Sequence, residues 1–193
     1  MTAVTRASRW IGPEEYFEGE KVAETRHDYL AGQLYALAET TVNHNELAGN
    51  VACWLRGVLR GGPCHTFMGS VKVRINPGRE TLVYYPDVFV ACDPRDKHQY
   101  YCDFPAVIFE VLSPDTARLD QREKRWAYQT IETLQTYVLV DQYKVEVTVW
   151  QRAGGDWEAL IYTALEDTIP LPGLELAMPV AEIYAGITFV PPA

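Results

Sequence analysis

The sequence predicts an α/β or α+β domain, a mixed sheet with helices packed on it. Three observations carry that expectation. Apolar runs of strand length recur through the middle of the chain, AVIFEVL at 106–112 above all. Two longer stretches have the spacing of amphipathic helices and lie between the strand candidates. The 193 residues, 48% hydrophobic and 22% charged, have the composition of an ordinary globular domain. A chain of this size buries about 70% of the surface its unfolded form exposes, so one core needs no staples. Residues 1–193 are expected to form one domain, with 1–25 a peripheral N-terminal segment.

The elements follow in order. Pro13 suits a first helical turn, predicting a short helix over Pro13–Glu20. Ala31–Gly32 reads as a turn and Gln33–Ala38 as a strand. Leu47, Val51, Trp54, Leu55 and Val58 recur at helical spacing, predicting a helix over Asn45–Leu59 that Gly61–Gly62–Pro63 ends. Val71, Val73 and Ile75 alternate with Lys72 and Arg74 in a half-buried strand stopped at Asn76–Pro77–Gly78. Strands follow at Asp87–Cys92 and Ala106–Leu112, the latter apolar enough to be buried on both faces. Ser113–Pro114 breaks that strand, and a helix is expected from Asp115 to Thr133. Tyr137–Val140 is a short buried strand, and Val145, Val147 and Val149 alternate in another. Trp157–Tyr162 and Ile169–Leu171 read as edge strands, and Pro179–Tyr184 as a closing helix.

Charge and cysteine bound the function. Seventeen basic against 26 acidic residues give −9, which excludes a surface that grips nucleic acid or anionic membrane everywhere but not a local basic groove. Cys53, Cys64, Cys92 and Cys102 form no C-x-x-C pair, so a zinc site is not expected. No apolar signal-peptide core opens the sequence, and no stretch approaches the roughly 20 apolar residues of a membrane span. Reduced, mostly buried cysteines and a cytoplasmic location without membrane contact are the expectation.

The informative feature is a pair of acids in strands that otherwise have no use for charge. Glu110 interrupts AVIFEVL, and Asp87 opens DVFVAC directly after Pro86. Buried acids need a partner or a metal. Two carboxylates about 4 Å apart repel by roughly 4 kcal/mol at an effective dielectric of 20. A cation, a shared proton or a strong donor must offset that, and Mg²⁺, which takes one or two carboxylates plus waters, fits. In the following helix Asp120, Lys124 and Tyr128 share one face at i, i+4, i+8. Alone, Asp120–Lys124 is a surface ion pair of about 0.3–0.5 kcal/mol. Beside a carboxylate site the ammonium can instead neutralise charge on a phosphate. Arg118, Arg122, Lys124 and Arg125 against Asp120 and Glu123 leave this segment at +2, a hint of an anionic partner.

These residues resemble a family. YYPDVFVACDP, then FPAVIFEVLSPDTARLDQREKRWAYQTIETLQTYVLVD, is similar to the Uma-two family of restriction-endonuclease-like proteins in the PD-(D/E)XK nuclease superfamily. The resemblance runs from about Glu14 to Tyr184, with HDYLAGQLYALA and NHNELAGNV similar to the family's N-terminal segments. It implies a restriction-endonuclease-like core, Asp87 and Glu110 as metal-binding acids, Lys124 as catalytic lysine, and the Val111 carbonyl as a further metal ligand. The superfamily's plain pattern has a lysine two positions after the glutamate, where this chain has Leu112. In Uma-type members the lysine comes from the following helix, as Lys124 would here.

The expected function is therefore Mg²⁺-dependent endonuclease hydrolysis of DNA phosphodiester bonds, with Mn²⁺ a substitute. Its alternative is a catalytically silent nuclease-fold scaffold acting as a binding or dimerisation module. A third reading, acid–base hydrolysis by two carboxylates, leaves the lysine without a role. Duplex cleavage by one site per chain implies a homodimer, with Tyr84, Tyr85, Tyr100, Tyr101 and Phe104 as exposed interface aromatics. Asp28 is a further metal ligand or supporting group, or else a turn-capping residue ahead of Gly32. His44 reads as a helix-capping or solvent histidine in preference to a general base. Ser113 is a helix cap, and Asp93, Asp96 and Asp103 are solvated loop residues.

Overall fold

The computed structural model describes residues 9–37, 40–112 and 120–190. Helix α1 (Pro13–Glu20) precedes strands β1 (His27–Leu30) and β2 (Gln33–Ala36), joined at Ala31–Gly32. Both turn residues have positive φ, 46° and 101°, the backbone that a two-residue hairpin needs. Helix α2 (Val42–Val58) starts three residues earlier than its periodicity predicts. The Thr41 hydroxyl is the reason: it accepts from the His44 N–H and caps the helix. Strands β3 (His65–Met68), β4 (Lys72–Ile75), β5 (Leu82–Tyr84), β6 (Val88–Ala91), β7 (Tyr101–Cys102) and β8 (Pro105–Leu112) follow.

Two larger sheets result. The first has the order β2-β1-β5-β4-β7. The second runs β11-β10-β9-β8-β6-β3, with β9 (Thr136–Asp141), β10 (Val147–Ala153) and β11 (Asp156–Tyr162). Strands β12 (Thr168–Leu171) and β13 (Leu176–Pro179) form a small ribbon that leads into α4 (Val180–Ile183). Strands β8 and β9 are parallel, so the chain between them must cross over, and it does so through helix. That helix differs from the expected Asp115–Thr133 span. Its described part is a π-helical turn, Asp120–Lys124, followed by α3 (Arg125–Gln129), and it ends at Thr130. Ser113, Arg118 and the start of the expected helix lie outside the described residues, as does the Asp120 side chain.

The central strands of the six-stranded sheet, β6, β8 and β9, are buried on both faces. Leu47, Val51 and Leu55 of α2 pack on Val107, Phe109, Val111, Val138 and Val140. On the other face Tyr84, Phe89, Ile108, Tyr128, Tyr137 and Leu139 form a second, aromatic cluster under the five-stranded sheet. Tyr84 and Tyr85 are therefore buried, and the expectation that they are exposed interface aromatics is corrected; Tyr100 is exposed. The reduced-cysteine expectation is corrected too. Cys64 and Cys92 flank the paired strands β3 and β6, where His65 opposes Ala91, and they form a disulfide. Cys102 is buried and its thiol pushed up to about 12, chiefly by desolvation, while Cys53 is exposed. No described helix is long and apolar enough to cross a membrane.

Candidate active site

Strand pairing brings the two sequence-predicted acids together. Strands β6 and β8 are antiparallel with Val88 opposite Phe109, a register that continues to Asp87 beside Glu110. The Asp87 N–H points at Glu110 Oε2 at 3.4 Å, and the Val111 N–H donates to Asp87 Oδ2 at 2.7 Å. Val111 thus reaches the site through its amide, which holds the aspartate from behind.

Period-two alternation turns Glu110 toward the aromatic face of the sheet. There Glu110 Oε1 accepts from the Tyr128 hydroxyl at 3.0 Å and lies 3.5 Å from Lys124 Nζ. The same carboxylate and burial raise the Tyr128 phenol well above its ordinary range, burial being the larger cause. Lys124 and Tyr128 are four residues apart, so both face the strand. Only 6% of Lys124 is exposed, which corrects the surface ion-pair reading. Its ammonium also lies 3.6 Å from Asp28 Oδ2 and 5.6 Å from the centre of the Tyr84 ring.

Asp28 sits within β1, opposite Tyr35, and not in the turn. Its Oδ1 accepts the Tyr85 N–H at 3.1 Å, so Asp28 ties the five-stranded sheet to the lysine. Asp28, Glu110 and Lys124 are all buried. The Lys124 ammonium thus stands between the carboxylates of Asp28 and Glu110.

His44, expected to be a capping or solvent histidine in preference to a general base, is neither: it joins the site. It is buried on the first turn of α2, and its Nε2 lies 2.9 Å from Asp87 Oδ1. With Asp87 as carboxylate, that nitrogen is the donor. The signal was present: His44, Leu47, Ala48 and Val51 share the buried face at i, i+3, i+4, i+7. Thr41 and Gln142 hold this end of α2 in place. The Gln142 amide donates to the Leu112 carbonyl at 2.7 Å and its oxygen accepts from Thr41, linking helix, β8 and the turn after β9. Of the three aspartates read as solvated, Asp93 makes only an exposed pair with Arg95, while Asp96 and Asp103 are structural. Asp96 accepts the Asp103 and Phe104 amides, and Asp103 holds Arg74 in a two-point pair.

His44, Asp87, Glu110, Val111 and Lys124 line one cleft of about 610 Å³, walled on the far side by Arg26, Ser70 and Tyr85. The donor set suits a hard cation. Asp87 and Glu110 both present carboxylate oxygens on this cleft, the hard donors that such an ion takes. No group of three or more His, Cys, Asp or Glu side chains with metal-binding geometry occurs among the described residues.

Known proteins resemble this chain along most of its length. A family model, Uma2, described as "Putative restriction endonuclease", matches residues 13–181. A protein of Synechocystis sp. named "Uncharacterized protein slr1290" is 34% identical over 182 residues, covering 93% of this chain and 94% of its own. A second, "Uncharacterized protein sll1609", is 29% identical over 154 residues, covering 78% and 86%. A crystal structure from Anabaena variabilis, of "a putative nuclease belonging to DUF820", superimposes with a TM-score of 0.72 at 15% identity over 91% of this chain and 98% of its own. At that identity the likeness is one of fold, and it is a restriction-endonuclease-like fold.

Proposed function

The chain belongs to the Uma2 family of restriction-endonuclease-like nucleases, and from that premise we propose that it is a divalent-cation-dependent endonuclease acting on DNA. The observation that carries this reading is the burial of Lys124 against Glu110, on the same cleft as Asp87. A surface helix has no reason to bury an ammonium there; a phosphate-binding cleft has one.

Asp87 and Glu110 would hold Mg²⁺, or Mn²⁺ in its place, with the Val111 carbonyl a further ligand. When bound, the ion supplies Lewis-acid polarisation of the scissile phosphate and acidifies the attacking water. The side chains do the rest. His44 and the Val111 amide fix both oxygens of Asp87, so its carboxylate plane is set before substrate arrives. Tyr128 does the same for Glu110 Oε1. Lys124, held by Asp28 and Glu110, would place its positive charge beside the non-bridging phosphate oxygens, where negative charge grows as the P–O bond to the leaving oxygen breaks. One such centre per chain cuts one strand, so duplex cleavage calls for a homodimer. Sedimentation showing only monomer at roughly tens of micromolar contradicts that assembly.

Nicking of supercoiled plasmid and cutting of single-stranded DNA in Mg²⁺ tests the reading. Wild type should cleave, and Lys124→Ala should lose about 10²–10³ in rate while still binding metal. Lys124→Arg should rescue poorly, because a planar fork replaces a compact charge. Full cleavage by Lys124→Ala removes the lysine from the mechanism. A wild type silent with every divalent ion points to the binding-scaffold alternative.

A further inference from the structure

A second cleft, of about 400 Å³, opens on the outer face of the five-stranded sheet between α1, β4 and the loop before β7. Aromatic rings and cations line it. His98 and Tyr101 stack with centroids 3.7 Å apart, Phe17 packs on Tyr101, and Tyr100 stands beside them with 45% of its surface exposed. Arg74 lies over the Tyr101 ring at 4.2 Å, and Lys21 over Tyr100 at 5.6 Å. Two of the three cations already have carboxylate partners: Arg74 pairs with Asp103 and Lys21 with Glu18. Glu14 and Glu18 stand on the rim.

Lys72 is the exception. Only 9% of it is exposed, and no carboxylate or carbonyl accepts from its ammonium among the described residues; its neighbour is the Tyr85 ring, 5.1 Å away. Glu20 acts on it from beyond ion-pair distance, its own oxygens engaged by the Tyr85 hydroxyl, the His27 amide and the His27 ring. Desolvation accordingly lowers the Lys72 ammonium from its ordinary range. An ammonium largely withdrawn from water with only a ring face beside it is under-compensated, and an anion entering the cleft would offset that cost. Tyr85 also connects the two clefts. Arg26, which lines the active-site cleft, lies over the same ring at 5.8 Å, so one ring contacts a cation of each cleft.

We propose that this cleft binds one nucleotide unit, its phosphate on Lys72 and its base stacked on the His98–Tyr101–Tyr100 surface. The Arg26–Tyr85–Lys72 row would then carry a single strand from the active cleft into it. Aromatic stacking accepts any base but needs its face free, so the site selects unpaired nucleic acid. The binding chemistry stands on these residues alone. Only the link to cleavage rests on the nuclease reading.

The test is binding without cleavage: fluorescence anisotropy of 5′-labelled dT12 and of a labelled 12-base-pair duplex, in EDTA. Wild type should prefer dT12. Tyr100→Ala, at an exposed position, should weaken dT12 binding by about tenfold. Lys72→Met should weaken it comparably and lower the salt slope by about 0.7, the loss of one phosphate contact. Thermal stability of Lys72→Met should hold or rise, which separates lost binding from lost folding. Competition by dAMP at concentrations that spare duplex binding marks the site as one for a free nucleotide; competition only by oligonucleotide marks it as a strand subsite. Equal binding of dT12 by wild type and both variants overturns the proposal, as does no preference for dT12 over duplex. A protein that binds dT12 as described yet cleaves nothing refutes the endonuclease reading and leaves this site standing.

Discussion

The two faces of β8 are made from one run of mostly apolar residues, yet they have opposite chemistry. Val107, Phe109 and Val111 face α2 in an aliphatic layer of Leu47, Val51 and Leu55. Ile108 and Glu110 face the other way, toward Tyr84, Tyr128 and Tyr137. A carboxylate among Leu47, Val51 and Leu55 would find no side-chain donor and would cost several kcal/mol. On the aromatic face it finds a phenol and an ammonium. The difference shows how a sheet buried on both sides can still hold charge: alternation assigns one face to packing and the other to hydroxyl-bearing rings. A one-residue slip of β8 would send Glu110 into the aliphatic layer, so the buried pairing of Glu110 with Tyr128 also opposes that register.

Breaking the aliphatic face should cost the most. Phe109→Ala leaves a cavity among β-branched neighbours that cannot collapse, and is expected to lose about 3–5 kcal/mol in urea unfolding. A loss below about 1 kcal/mol would mean that this face is loosely packed.

On the aromatic face, Tyr128→Phe keeps the ring and removes only the hydroxyl that donates to Glu110. The carboxylate left short of a donor should cost about 1–3 kcal/mol. A neutral result would mean that the other partners of Glu110, Lys124 among them, satisfy it without the phenol.

The smallest effect separates the faces by pH. Burial raises the phenols of Tyr16, Tyr84, Tyr85 and Tyr128 above the ordinary value of 10.0. Below that pH both folded and unfolded tyrosines are protonated and contribute no slope. Above it the unfolded chain loses protons that the folded chain keeps, so stability falls as pH rises. Each tyrosine adds about 1.4 kcal/mol per pH unit until its folded pKa is reached. Tyr128→Phe should reduce the slope by one such increment, and Phe109→Ala should leave it unchanged. Identical alkaline slopes in wild type and Tyr128→Phe would contradict the burial of that phenol.

Much of the site was legible because charge in an apolar strand is conspicuous. Glu110 and Asp87 stood out for that reason, and the family resemblance supplied Lys124. What escaped was set by pairing between distant segments. Strands β1, β3 and β5 are short and weakly patterned, and they exist because β2, β6 and β4 give them partners. His44 looked like a capping residue until Thr41 took that role and Asp87 arrived from 43 residues away. Cys64 and Cys92 are 28 residues apart, and only the β3–β6 register makes them neighbours. Tyr84 and Tyr85 looked exposed because the sheet that buries them could not be read from their own segment.

The most direct test of the two-carboxylate site is Mn²⁺ binding, followed by electron paramagnetic resonance, for wild type, Asp87→Asn and Glu110→Gln, with circular dichroism confirming the fold of each. Wild type should bind the ion, and each variant should keep its structure while losing at least about tenfold in affinity, as ligand-shell changes do. Each substitution keeps the shape of the side chain, so the fold should survive although a hydrogen bond or ion pair is weakened. Folded variants that bind Mn²⁺ as tightly as wild type, or variants that both unfold, would contradict the site: the acids would then be structural, and the cleft would hold no metal.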